Sequence, residues 1–179
     1  MRRELEKFFN LVDALETLPT IGKKSALRLA YNMISKDNLN ALKIAHAIED
    51  AIKHIKHCTK CNFLSENELC EICVNDFRDK STLCIVQSPK DVFIIEESKR
   101  YNGLYFVLEE LTEENISKLY QNCTEEATKE IIFAFTPNIE NEALMLYIED
   151  KLKNLDINFT KIAQGVPTGV GLDCIDSLS

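Results

Sequence analysis

The stretch HCTKCNFLSENELCEIC, residues 57–73, sets Cys58 and Cys61, then Cys70 and Cys73, as two Cys-x-x-Cys pairs around the gap Asn62–Leu69. Each pair can turn two sulfurs toward one ion, and the gap is long enough to fold back and bring the pairs together. Four thiolates fill a tetrahedral zinc site and leave no position for water or substrate, so the expected zinc is structural. It would stitch a segment with too few apolar residues to fold alone. His54 and His57 are near in sequence, but four thiolates make them redundant as ligands. His46 falls on the apolar side of a helical stretch and is expected to be a core or boundary residue. Disulfides are rare in a reducing compartment, and seven cysteines, an odd number, argue against a disulfide framework. Cys84, Cys123 and Cys174 have no partner at ligand spacing and are expected to be small core residues.

At 179 residues and 45% hydrophobic content, the chain can bury one full core plus an appendage. The N-terminus, MRRELEKFF, has no apolar h-region, and no apolar run is long enough to span a bilayer. A cytoplasmic protein without membrane contact is expected. The net charge of −8 divides unevenly. Residues 1–60 hold 11 Lys/Arg against 7 Asp/Glu, net +4, and residues 61–179 hold 10 against 22, net −12. One part of the chain can tolerate phosphate and the other repels it.

Apolar spacing predicts helices over 3–16, 23–34 and 38–57. Beyond the cysteines, LCIVQ (83–87), GLYFVL (103–108), EIIFAF (130–135) and INFTKIA (157–163) read as strands, with helices over 90–100, 113–121 and 140–153 between them. Such alternation predicts a largely parallel, helix-covered sheet. The expected organisation is a helical region over 1–57, a cysteine module over 58–73 and an α/β domain over 80–179. No internal repeat or low-complexity tract interrupts it.

In LETLPTIGKKSALRLA a turn with Pro19 and Gly22 joins the first two helices and opens the second on Lys23, Lys24 and Ser25. Unpaired N–H groups at that helix start, with Lys23, Lys24 and Arg28 at helical spacing, can receive phosphates of DNA without reading its sequence. The stretch resembles the helix-hairpin-helix motif L-P-G-I-G-x-K-x-A, with Thr20 where the first hairpin glycine is usual.

The order of helix-hairpin-helix, four-cysteine module and α/β unit resembles the RecR family of bacterial recombination mediators, whose α/β unit is a Toprim domain. The likeness covers nearly the whole chain, through LPTIGKKSALRLA, the cysteine module, SPKDVFIIEESKRYNGLYFVL, FTPNIENEALMLYIEDKL and IAQGVPTGVGLD. It implies a homo-oligomeric ring, a tetramer, that binds double-stranded and gapped DNA. The ring would work with RecO, and in some lineages RecF, to load RecA at single-strand gaps. Catalytic Toprim enzymes hold magnesium with a strand-end glutamate and a D-x-D pair. The corresponding positions here are Gln87, Thr136 and Asn138, so a non-catalytic role is expected. Glu140 and Glu142 match the acidic E-x-E that follows, and Asp91, Glu96 and Glu97 add charge on the preceding helix. An acidic surface suits a basic partner, which makes Glu140 and Glu142 candidates for partner contact. Asp173 and Asp176 match acidic positions of a family tail that runs on beyond Ser179, so the C-terminal segment reads as truncated. No Walker-A pattern accompanies Asp173. The alternatives are a magnesium-dependent Toprim nuclease or primase-like enzyme with an atypical metal site, and a zinc-stabilised interaction protein that never touches DNA.

Overall fold

The computed structural model of the chain describes residues 4–162; Asp173, Cys174, Asp176 and the stretch GVPTGVGLD lie outside them. The chain divides into two compact units, the first ending at His54 and the second beginning at Ile55.

The first unit comprises α1 (Glu6–Glu16), α2 (Lys23–Ser35) and α3 (Asn38–His54). Alanines on α2 let the first two helices approach closely. Ala26 and Ala30 are fully buried against Val12, with Phe8, Leu11, Leu15 and Ile21 packed around them. The connecting turn is held by Ile21 N donating to Leu18 O at 3.2 Å and by the Thr17 hydroxyl donating to Ala14 O at 2.7 Å. The third helix has no buried residue. Leu39, Leu42, Ile48 and Ile52 are exposed, and so is His46, which corrects its expected place in a core or at its boundary. The apolar stripe of α3 is real, but the small core of this unit is closed by α1 and α2.

The second unit opens with β1 (Lys56–His57) and β2 (Leu64–Ser65), an antiparallel pair, followed by the short α4 (Glu71–Val74). The helix expected to run to about 57 therefore ends at His54, because Lys56 and His57 enter a ladder with Ser65 and Leu64. Then come β3 (Asp79–Val86), α5 (Pro89–Ser98), β4 (Gly103–Val107), α6 (Glu113–Glu125), β5 (Glu130–Ala134), α7 (Ile139–Leu152) and β6 (Asn158–Lys161). The four longer strands form one parallel sheet in the order β4-β3-β5-β6.

Period-two alternation sends the two sets of strand side chains to opposite faces. Leu83, Ile85, Leu104, Phe106, Ile131 and Phe133 pack with Ile116 and Leu119 of α6 and Met145, Ile148 and Leu152 of α7. Cys84, Val86, Tyr105 and Val107 pack on the other face with Val92 of α5 and with Phe63 and Ile72 of the cysteine module. Burial on both faces explains why β4 reads as an uninterrupted apolar run. Gly103 has a steric reason: a Cβ there would stand 2.6 Å from Thr82 O and closer still to the Tyr101 hydroxyl oxygen. Side-chain caps fix where the helices begin. Ser88 and Asp91 form a capping box around Pro89 on α5, and Thr112 and Asn138 cap α6 and α7.

Candidate zinc centre and nucleic-acid interface

Cys58, Cys61, Cys70 and Cys73 converge, with all four sulfurs within 4.8 Å of one another. The Cys58 and Cys73 sulfurs are 3.8 Å apart, and those of Cys61 and Cys70 are 3.5 Å apart. A sulfur tetrahedron about 2.3 Å from a central zinc has edges of about 3.8 Å, so the residues fit the ion. Hydrogen bonds with Cys61, Cys70 and Cys73 hold the Cys58 thiol well below its ordinary pKa, and the reciprocal hydrogen bonds with Cys58 hold the Cys61 and Cys73 thiols above theirs. Local backbone bonds shape the first knuckle: Cys58 N donates to Phe63 O at 2.7 Å and Asn62 N to Cys58 O at 3.0 Å. Asn62 takes the left-handed conformation, φ 60°, that closes the turn. Neither nearby histidine is drawn in. His57 Nδ1 lies 2.9 Å from Asn62 O, and His54 pairs with Asp50.

Residues that sequence spacing did not single out fasten this module to the sheet. Val107 N, at the end of β4, donates to Cys61 O at 2.8 Å, and Asn62 Nδ2 returns a bond to Val107 O at 3.2 Å. Lys118 of α6 donates to Asn62 Oδ1 at 2.8 Å, and Lys60 forms an ion pair with Glu126. The only local signal was a polar, non-ligand residue inside the knuckle. Away from the cluster, burial pushes the Cys84 thiol up to about 12 and the Cys123 thiol up to about 11, so both stay protonated as small core residues.

In the first unit, Gly22 is the N-cap of α2 and no side chain caps the helix. Lys23, Lys24 and Arg28 are all exposed on that helix. A Cβ at Gly22 would meet nothing within 4 Å, so the approach to the first N–H groups is open. This is an anion-receptive helix start with three cations on the same element.

At the strand end where catalytic Toprim enzymes need acids, Gln87 follows β3 and faces Asn141, which is 6% exposed in the first turn of α7. Their side-chain amides bond to each other. Thr136 and Asn138 are neutral, and Asn138 is occupied as the cap of α7. Asp91 accepts from Ser88 N, and Glu142 pairs with Lys161 at 2.6 Å. Glu140 is exposed. This donor set does not fit magnesium, which requires carboxylate and other oxygen ligands converging on one point. Among the described residues, the cysteines are the one group of three or more His, Cys, Asp or Glu at metal-binding separation.

Family models match in the same order. The model for the RecR helix-hairpin-helix matches residues 8–52, that for the RecR four-cysteine zinc finger domain residues 55–75, and that for the Toprim domain residues 81–163. Similar proteins include "Recombination protein RecR" of a Nitratiruptor species, 55% identical over all of this chain and 94% of that relative. The protein of the same name in Campylobacter jejuni subsp. doylei is 52% identical over the same shares. That of a Helicobacter pylori strain is 51% identical, over 99% of this chain and 92% of its own length. The four-cysteine cluster and the zinc-finger match together make zinc the structural cofactor of this module.

Proposed function

The chain belongs to the RecR family, and from that premise we propose that it serves recombinational DNA repair as a non-catalytic DNA clamp and adaptor. The observation that carries the DNA reading is the open, uncapped start of α2 with Lys23, Lys24 and Arg28 exposed on it. Backbone N–H groups and cations in that arrangement neutralise phosphates without selecting a base sequence, as a mediator acting at any gap requires.

The working division is a DNA-binding helical region ending at His54, a module over 55–75 in which Cys58, Cys61, Cys70 and Cys73 hold zinc, and a Toprim domain from about residue 80 that receives partners. Zinc supplies a cross-link among four thiolates, and the chain's own bonds from Cys61 and Asn62 to Val107 pass that rigidity to the sheet. The neutral Gln87, Thr136 and Asn138 support the absence of phosphoryl chemistry. The exposed apolar face of α3 is the kind of surface a second copy covers, which favours a ring, a tetramer in this reading. The acidic turn with Glu140 and Glu142 suits a basic partner such as RecO, and in some lineages RecF, for loading RecA in the cytoplasm.

Retention of zinc-loaded protein on a closed gapped DNA circle, against the same circle cut once, tests the clamp after a high-salt wash with magnesium present. Protein that stays on the closed circle and leaves the cut one supports the reading. Equal loss from both, or new cleavage or extension of the strands, overturns it. Charge reversal at Glu140 and Glu142 with RecO affinity unchanged would remove the partner assignment.

A further inference from the structure

We propose that Gln87 and Asn141 form a neutral clasp that joins the end of β3 to the start of α7 and performs, without any cation, the positioning task of a divalent ion in an acid-lined Toprim site. The two amides are reciprocal. Gln87 Nε2 donates to Asn141 Oδ1 at 2.8 Å, and Asn141 Nδ2 donates to Gln87 Oε1 at 3.1 Å. Asn141 Nδ2 also donates to Thr136 O at 2.6 Å, and Asn141 N donates to the capping Asn138 Oδ1 at 2.7 Å.

These bonds fix the orientation of both side chains. Turning Asn141 over would put its oxygen against Thr136 O, and turning Gln87 over would set donor against donor and acceptor against acceptor. Asn141 is 6% exposed, so unpaired amide atoms there would carry a desolvation penalty; the reciprocal pair removes it. A cation gains nothing at such a place. Both amide oxygens already accept hydrogen bonds, and the amide hydrogens present positive charge toward the same space. Of the acids of the region, Asp91 is engaged in the cap of α5 and Glu142 with Lys161, and Glu140 is exposed.

The consequence concerns the acidic turn. Asn141 lies between Glu140 and Glu142 in the chain, so the clasp sets the backbone that carries them. If they meet a partner, a point that rests on the proposed function, the shape they present does not depend on magnesium. Gln87 and Asn141 are positioning residues in this sense.

Thermal unfolding of the full, zinc-loaded chain, with no partner present, tests the clasp apart from the partner reading. The wild type is expected to melt at the same temperature with and without millimolar magnesium chloride. Gln87→Glu is expected to melt lower at neutral pH, because a carboxylate cannot donate to Asn141 Oδ1. A protonated carboxyl offers one donor and one acceptor, as the amide does, so folding favours the protonated form and raises the folded pKa of the new acid. Its deficit relative to wild type is therefore full above that raised value and closes as pH falls toward the unfolded value of about 4.3. Gln87→Met removes both bonds and should show a deficit that does not close on acidification. If Gln87→Glu is unfolded at neutral pH, refolding as pH is lowered gives the same supporting result. Stabilisation of the wild type by magnesium, a Gln87→Glu chain as stable as wild type at neutral pH, or a deficit unchanged with pH would each overturn the clasp.

Discussion

Thr20 stands at φ 69° in the turn between α1 and α2, where a β-branched residue is strained and where helix-hairpin-helix motifs carry glycine. Strain of this kind amounts to about 1–3 kcal/mol, and the extra unfolded-state freedom of glycine takes back about 0.5–1 kcal/mol. Thr20→Gly should therefore stabilise the chain by about 1 kcal/mol, read as a higher urea midpoint for loss of helical signal. Glu96 carries a second consequence at this scale. Its carboxylate accepts from Arg78 Nη1 at 2.9 Å and from the Tyr105 hydroxyl at 2.6 Å. The Arg78 hydrogen bonds hold its pKa below the ordinary carboxylate range. A depressed folded pKa means that the contribution is present above the unfolded value, about 4.3, and is lost as pH falls through the folded value. Glu96→Gln should therefore be less stable than wild type at neutral pH, with the difference shrinking below about pH 4 in acid-unfolding curves.

At the scale of elements, the cysteine module and the start of α2 make opposite demands on the chain around them. The module is held by its metal, by a few polar bonds to β4 and α6, and by Phe63 and Ile72 packed against the sheet. Cys58→Ser should lose zinc and destabilise the chain by several kcal/mol, since structural zinc sites contribute their binding free energy to folding. Zinc content and thermal melting check this, and full occupancy with an unchanged melt would show the assignment to be mistaken. In the proposed reading the α2 start works through exposed charge and through N–H groups that no side chain caps. Replacing Lys23, Lys24 and Arg28 together by Ala should weaken DNA binding and lower the salt slope of log K by about 3 units, one for each lost phosphate contact. Binding titrated over a series of salt concentrations measures it, and an unchanged slope would move the interface elsewhere.

For the whole molecule, the stripe on α3 is an apolar surface that packing within the first unit leaves exposed. Leu39 is 74% exposed and Ile52 77%. Ile48→Glu with Ile52→Glu should shift the protein to smaller species in sedimentation velocity while helical content holds, if α3 forms the contact between copies. Much of the molecule could be read from local pattern. The cysteine spacing marked the metal module, alternation of apolar runs marked the strands of a parallel sheet, and the basic turn marked the start of α2. Local pattern also misled, since the apolar side of α3 that suggested burial for His46 faces outward. The polar start of β3 at Asp79 carries no apolar signal, the two-residue strands beside the cysteines are too short to show a period, and neither was foreseen. Residue type and near-neighbour spacing were enough to mark the four cysteines as a metal module and the alternating strands and helices after it, and the resemblance to the RecR family pointed to the neutral residues at Gln87, Thr136 and Asn138. They could not settle that Gln87 meets Asn141, that Asn62 and Cys61 reach Val107, or that the core of the first unit is closed by α1 and α2 without α3. Those outcomes depend on which distant segments the sheet and its helices bring together, and no period within a single segment encodes that meeting.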